Sequence, residues 1–301
     1  MPELNVNNIN MAYETFGKPG NPPIVMIQGL GMPLLAWPPP LIERLTDAGF
    51  FVVTPENRDI GKSQTFHEAG VPNLAWNWLK VRFGMTPRVL YTLTDMAQDV
   101  ASLMARLNIE RAHIVGVSMG GMIGQRLAID HGQRCASLTS IMSTTGNPRL
   151  PRPEPEIVRK LIQRPKSDDV EGRLAHSLSM MRLICSPGFD VDFDFLEQRL
   201  RAMYARGMTR GGVARQMMAI AADGNRVQAL RKVSVPTLVI HGKADRLVPV
   251  AAGVDTAEAI PDARLELIDG MGHDLPPGLH EPLANLIIDH ARSVDADAVS
   301  A

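Results

Sequence analysis

Short apolar runs alternate along this chain with stretches whose apolar residues recur at helical spacing. Ile9–Thr15 alternates apolar and polar positions, as a strand with one solvated face does. Pro23–Gln28 (PIVMIQ) and Phe50–Thr54 (FFVVT) read as buried strands, and further strands are predicted at His113–Val117, Ser137–Met142, Pro236–His241 and Arg264–Ile268. Leu41–Ala48 reads as a short helix. Thr94-Asp95 is expected to cap a helix running to Leu107, with Met96, Val100, Leu103, Met104 and Leu107 on its apolar face. A helix from Gly120 to about His131 follows, and one from about Pro282 to Arg292 closes the chain, with Val294–Ala301 expected to fray. This alternation predicts an α/β fold with a mostly parallel sheet covered on both faces.

The rhythm breaks between Ser143 and Lys232, where no core strand is predicted. The proline-rich Asn147–Pro155 leads into helical text carrying Met180, Met181, Met203, Met208, Met217 and Met218. The expected division is therefore a core in two parts, residues 1–142 and 233–301, with an inserted helical cap at 143–232. Methionines adapt to varied shapes, so as a group they suit an apolar substrate, although taken singly each is explained by helix packing. Phe66–Tyr91 is long for a strand-to-helix connection and carries Trp76, Trp78, Phe83 and Tyr91. These aromatics either form a substrate-facing lip or pack the excursion onto the core.

The chain has 301 residues, 45% hydrophobic and 21% charged, enough for a sizeable core. Its formal net charge of -1 gives no pull toward nucleic acid. The N-terminus lacks a basic region followed by an apolar stretch, and no apolar run approaches the roughly 20 residues of a membrane span, so a cytoplasmic location without a transmembrane segment is expected. Cys135 and Cys185 are expected to be two buried thiols. No metal spacing involves the two cysteines, and neither a metal nor a cofactor is expected.

Chemistry concentrates around GVSMGG, residues 116–121. A serine hydroxyl is a weak nucleophile that needs a base for its proton and donors for the developing oxyanion. An apolar strand, a Gly-x-Ser-x-Gly turn and a helix project the serine above the sheet edge, provided that the flanking residues are small. Gly116 and Gly120 supply that, and Ser118 becomes the candidate nucleophile. The base should be a histidine on a late loop after a strand, and His273 stands there in Asp269-Gly270-Met271-Gly272-His273. His241 ends a strand and is expected to bond locally, and His113 to be structural. The acid that orients the imidazole should end a strand between serine and histidine, and Asp245 fits in HGKADRLVP. Asp269 and Asp274 share the loop of His273 and are poorly placed to reach its far ring nitrogen. The oxyanion donors are expected to be the backbone N–H of Met119 and, from the loop Gln28-Gly29-Leu30-Gly31, that of Leu30.

With IQGLGMPLLAW, PENRDIGKS, DMAQDVASLMARLNIERAHIVGVSMGGMIGQ, VPTLVIHGKADRLVP and DGMGHDLP in view, the chain resembles the α/β-hydrolase superfamily end to end, most of all bacterial serine carboxylesterases and lipases of the aclacinomycin methylesterase type. The resemblance implies an α/β-hydrolase fold with a mostly parallel eight-stranded sheet and an inserted helical cap. It also implies Ser118 as nucleophile, Asp245 as acid, His273 as base, and the Leu30 and Met119 amides as oxyanion hole. Many relatives have histidine where this chain has Gln28, whose amide is expected to hold the oxyanion loop instead. Asn57–Ser63 matches a mainly structural loop. The expected activity is hydrolysis of small-molecule or lipid esters through an acyl-enzyme. Cleavage of a carbon–carbon bond beside a ketone, or of a thioester, by the same triad stays open, as does a ligand-binding receptor of the same fold. A haloalkane dehalogenase is disfavoured, since aspartate would stand at position 118.

Overall fold

The computed structural model describes residues 2–74, 76–77, 85, 87–163, 165, 167 and 169–300. Its strands are β1 (Glu3–Val6), β2 (Ile9–Phe16), β3 (Pro23–Ile27), β4 (Phe51–Pro55), β5 (Ala112–Val117), β6 (Cys135–Ile141), β7 (Thr237–Gly242) and β8 (Arg264–Ile268). They form one sheet in the order β1-β2-β4-β3-β5-β6-β7-β8. The β1–β2 and β2–β4 pairs are antiparallel, and every pair from β4 to β8 is parallel. Sequence pattern does not place β1, which is short and mostly exposed. What makes it a strand is the Asn7-Asn8 turn, with both residues at positive φ (46° and 64°), folding Val6 onto Ile9.

Side-chain alternation splits the apolar residues between two cores. Ile24, Met26, Val115 and Ile240 meet Leu41 and Leu45 of α1 (Pro39–Asp47) and Leu279, Leu283 and Ile287 of α10 (Pro277–Ser300). Val25, Ile27, Ile114 and Leu138 face the other way, onto Met96, Val100 and Leu103 of α2 (Leu93–Arg106) and Ile123 and Leu127 of α3 (Met119–Asp130). Each such buried side chain contributes about 1.5–3 kcal/mol.

Two helices differ from expectation at their ends. α2 is capped by Thr92, not Thr94-Asp95, and Asp95 reaches back to the Thr92 N–H in a capping box. α10 starts before Pro282 and runs on through the tail expected to fray. Asp295 meets the buried His113 at 3.3 Å, which ties that last stretch to the core.

Between β6 and β7 the described elements are all helical: α4 (Pro155–Ile162), α5 (Val170–Ile184), α6 (Phe193–Arg206), α7 (Arg210–Asp223) and α8 (Val227–Leu230); α9 (Ala251–Ala259) follows β7. Leu174, Leu200 and Met203 form their own small cluster and pack against Met32 and Ala36 of the core. The loop after β4 fastens this insert. Glu56, fully buried, pairs with Arg206 at 2.5 Å, and Asp59 takes a two-pronged bond from Arg215, both at 2.7 Å. Burial opposes the ionised form of Asp59, but its bonds from Arg215, Tyr91 and the Phe66 N–H hold it below the usual carboxylate range. Tyr91 thus packs inward, whereas Trp76 is 56% exposed, and Trp78 and Phe83 lie outside the described residues. Cys135 is buried as expected, but Cys185 is only half-buried, and both are free thiols. Among the described residues no helix is long and apolar enough to cross a membrane.

Candidate active site

The chain leaves β3 for β4 on one side and returns to place β5 on the other, so a crevice opens at the C-terminal ends of β3 and β5. Gly29 and Ser118 stand just past those ends. A Cβ on Gly29 would touch the Ser118 Cβ at 3.3 Å, which is how closely the two loops approach.

Ser118 adopts φ 53°, ψ −118°, a conformation that glycine dominates elsewhere. Its carbonyl accepts from the Gly121 and Met122 N–H groups and from the Ser143 hydroxyl, and its N–H donates to Ile141 O. Gly116 and Gly120 are small by necessity. A Cβ on the first would overlap the Gly120 carbonyl, and one on the second the Ile27 carbonyl.

The hydroxyl of Ser118 lies 3.0 Å from His273 Nε2, and His273 Nδ1 lies 2.7 Å from Asp245 Oδ2. The carboxylate can only accept, so Nδ1 carries the proton and Nε2 is left to accept from the serine. The Asp245 side chain is fully buried, and its other oxygen accepts from the Leu247 and Val248 N–H groups at 2.9 and 2.8 Å. His241 bonds locally, donating Nε2–H to Val248 O at 2.8 Å, and burial holds it below the ordinary histidine value. His113 bonds Ser137 at 2.9 Å. Asp269 is exposed and pairs with Lys243, and Asp274 accepts from Ser186, so neither reaches the His273 ring.

Among the described residues the Leu30 and Met119 N–H groups have no protein acceptor. Met119 opens α3, where the helix dipole adds positive potential. Gln28 Oε1 accepts from the Gly29 N–H at 3.2 Å, while its Nε2 is buried without a partner. Gln28, Leu30, Ser118 and His273 border a cavity of about 590 Å³, of a size that holds small molecules. Met180, Met181, Met203, Met208 and Met217 of the insert line it, joined by Met32 and Met142 of the core. Met218 is buried without lining it.

A family model described as alpha/beta hydrolase fold matches residues 22–276. The chain belongs to the alpha/beta hydrolase fold family. It is 28% identical to rhodomycin D methylesterase DnrP of Streptomyces peucetius over 97% of this chain and 99% of that one. It is 27% identical to the 2-hydroxy-6-oxononadienedioate/2-hydroxy-6-oxononatrienedioate hydrolase of Cupriavidus pinatubonensis, over 83% and 80%. Among solved structures, an esterase from Exiguobacterium antarcticum superposes with a TM-score of 0.75 over 96% of this chain and 98% of its own, at 19% identity, a likeness of fold.

Against this family background, the residues that sequence reasoning missed are those through which the insert grips the site. The His273 N–H donates to Ile184 O at 2.7 Å, and the Gly272 N–H donates to Ser186 Oγ at 2.8 Å. Ser186 donates in turn to Asp274, whose carboxyl is pushed up by burial against the pull of those bonds. The glycine pair Gly188 and Gly270 allows this approach, with Gly188 N–H bonded to Gly270 O at 3.0 Å. On the side of the Gly29–Gly31 loop, Gln216 of α7 accepts from the Gly31 N–H at 2.8 Å.

Proposed function

We propose that this chain is a serine hydrolase that cleaves carboxylic esters of apolar small molecules or lipids, with the helical insert at 143–232 acting as the cap that selects them. One observation carries the reading: the unbroken series Ser118 hydroxyl, His273 imidazole, Asp245 carboxylate beside a methionine-lined cavity. The relationship to a methylesterase along nearly the whole chain supports ester chemistry.

In this reading His273 Nε2 takes the Ser118 proton as Oγ attacks the ester carbonyl. The carbonyl oxygen becomes an oxyanion and accepts from the Leu30 and Met119 N–H groups. The imidazolium, held by Asp245, protonates the departing alcohol as the tetrahedral intermediate collapses to an acyl-enzyme. Water, deprotonated by His273, then attacks the acyl carbon, and Ser118 leaves with the proton restored.

The test is turnover of a panel of p-nitrophenyl esters of increasing acyl length. Ser118→Ala is expected to lose turnover while staying folded, and a fluorophosphonate probe is expected to label Ser118, located by mass spectrometry. Retained turnover in the variant, or labelling elsewhere, would overturn the nucleophile assignment. A second reading, carbon–carbon bond cleavage beside a ketone, rests on the likeness to the dioate hydrolase. Turnover of a vinylogous diketone with none on any ester would favour it.

A further inference from the structure

Three consecutive amides follow β3, at Gly29, Leu30 and Gly31. The first and third are occupied, each by a glutamine carboxamide oxygen. Gln28 Oε1 accepts from Gly29 N–H at 3.2 Å, and Gln216 Oε1 accepts from Gly31 N–H at 2.8 Å. The middle amide, Leu30, has no acceptor among the described residues. The Met32 N–H closes the turn onto Gly29 O at 3.3 Å. The loop is therefore pinned on both sides of the one N–H left for a substrate oxygen.

The two pins have different origins. Gln28 belongs to the core loop itself. Gln216 comes from α7 of the insert and is fully buried. Its Nε2 donates to Arg58 O at 2.8 Å, which fixes which end of the carboxamide faces Gly31. Gly31 sits at φ 67°, and a Cβ there would lie 2.7 Å from Val213 Cγ2, so α7 presses directly on the loop. The adjacent Arg215 clamps α7 to Asp59 independently of Gln216. The carboxamide can thus be removed without detaching the helix.

We propose that Gln216 is a positioning residue for ester hydrolysis: from the insert, it sets the oxyanion loop so that the Leu30 N–H points at the developing oxyanion. This rests on the reading of Leu30 as an oxyanion donor. A donor displaced by a fraction of an ångström loses much of its transition-state contribution while substrate binding is little changed.

The test compares Gln216→Met, similar in shape but without either bond, with Gln216→Glu, whose neutral form keeps both. p-Nitrophenyl butyrate turnover is measured per fluorophosphonate-titrated serine, and inhibition by an alkyl trifluoromethyl ketone reports the tetrahedral adduct. For the methionine variant, kcat is expected to fall roughly 10- to 100-fold with KM within about twofold. Ketone affinity should fall in step with kcat/KM, and glutamate should restore most of the loss. If Gln216 only packs the insert, the methionine variant melts earlier but keeps wild-type kcat per titrated serine; that result overturns the proposal, as does a loss confined to KM. Should the methionine variant not fold, Gln216→Asn, too short to reach Gly31, is expected to show the same kcat loss, and wild-type kcat there overturns the proposal. The rate of Ser118 phosphonylation probes the same amides without ester turnover. A wild type that is labelled but hydrolyses no ester sinks the ester reading, and the methionine variant's labelling rate then decides this one: about tenfold slower supports it, unchanged overturns it. A wild type that is not labelled at all sinks both.

Discussion

Ser118 holds the conformation φ 53°, ψ −118°, which an L side chain resists because its Cβ crowds the backbone. The perturbation that exposes this cost is a comparison of Ser118→Gly with Ser118→Ala. Both remove the hydroxyl and its bond to His273, so that loss cancels. Alanine keeps the Cβ and the strain, of order 1–3 kcal/mol for such a residue, whereas glycine relieves it. Against glycine stand the extra freedom of the unfolded chain, about 0.4–1 kcal/mol, and the lost contact of one half-buried methyl group, less than about 0.5 kcal/mol. The balance favours glycine by about 1 kcal/mol, or roughly 1.5 °C in Tm for a chain of 301 residues. Thermal and urea unfolding of the two variants measure it. An alanine variant as stable as the glycine variant, or more stable, refutes the claim that the turn is strained to present the hydroxyl.

Other outcomes follow from the same geometry. Asp245→Asn keeps the acceptor for the Leu247 and Val248 N–H groups but turns His273 Nδ1 into an acceptor and puts the proton on Nε2, facing Ser118; kcat is expected to fall about 10³–10⁴-fold with little change in Tm, and near-wild-type kcat would refute the orientation argument. Gly120→Ala drives a Cβ into the Ile27 backbone and is expected to abolish activity or soluble expression, while Gly132→Ala, which meets only Val235 at 3.6 Å, is tolerated; equal tolerance of both would contradict the packing described. Arg215→Met leaves Asp59 buried without its cation and is expected to cost about 3–5 kcal/mol in urea unfolding, less when combined with Asp59→Asn; no difference between single and double variants would show the pair to be uncoupled. Burial holds His113, His241 and His290 below the ordinary histidine value, so the unfolded chain protonates first as pH falls below about 6.5. Their contribution is complete above that pH and is lost below it, and the urea midpoint is expected to drop from pH 7.5 to 5.5 and would stay level if these rings were solvated.

The parts of this molecule that the sequence makes legible are those whose physics is local. A sharp turn between an apolar strand and a helix demands small neighbours, and Gly116 and Gly120 announce it. Asp245 and His273 each follow a strand at a glycine-bearing turn, so strand ends locate them before any contact is known. β1 was hidden because its stability comes from pairing across Asn7-Asn8 rather than from its own apolar content. The last stretch of α10 was hidden because what ties it down is His113, far away in the chain.

Gln216 was hidden for a stronger reason. It lies 185 positions from the Gly31 amide that it holds. Its helix buries Arg215 and Gln216 together with Ala214, Met218 and Ala219, so the inward face carries polar residues and the usual contrast between faces is blurred. Buried polar side chains of this kind persist only where their partners are in place. Here those partners are the Gly29–Gly31 loop and the Arg58-Asp59 loop, and a matching set, Ile184 and Ser186, meets the loop of His273. The helices that line the cavity with methionine are therefore the same ones that hold the two loops flanking Ser118. Swinging them away as a rigid unit would strip hydrogen bonds from both loops at once, so a substitution on the inner face of α7 bears on the geometry of those loops as well as on the cavity.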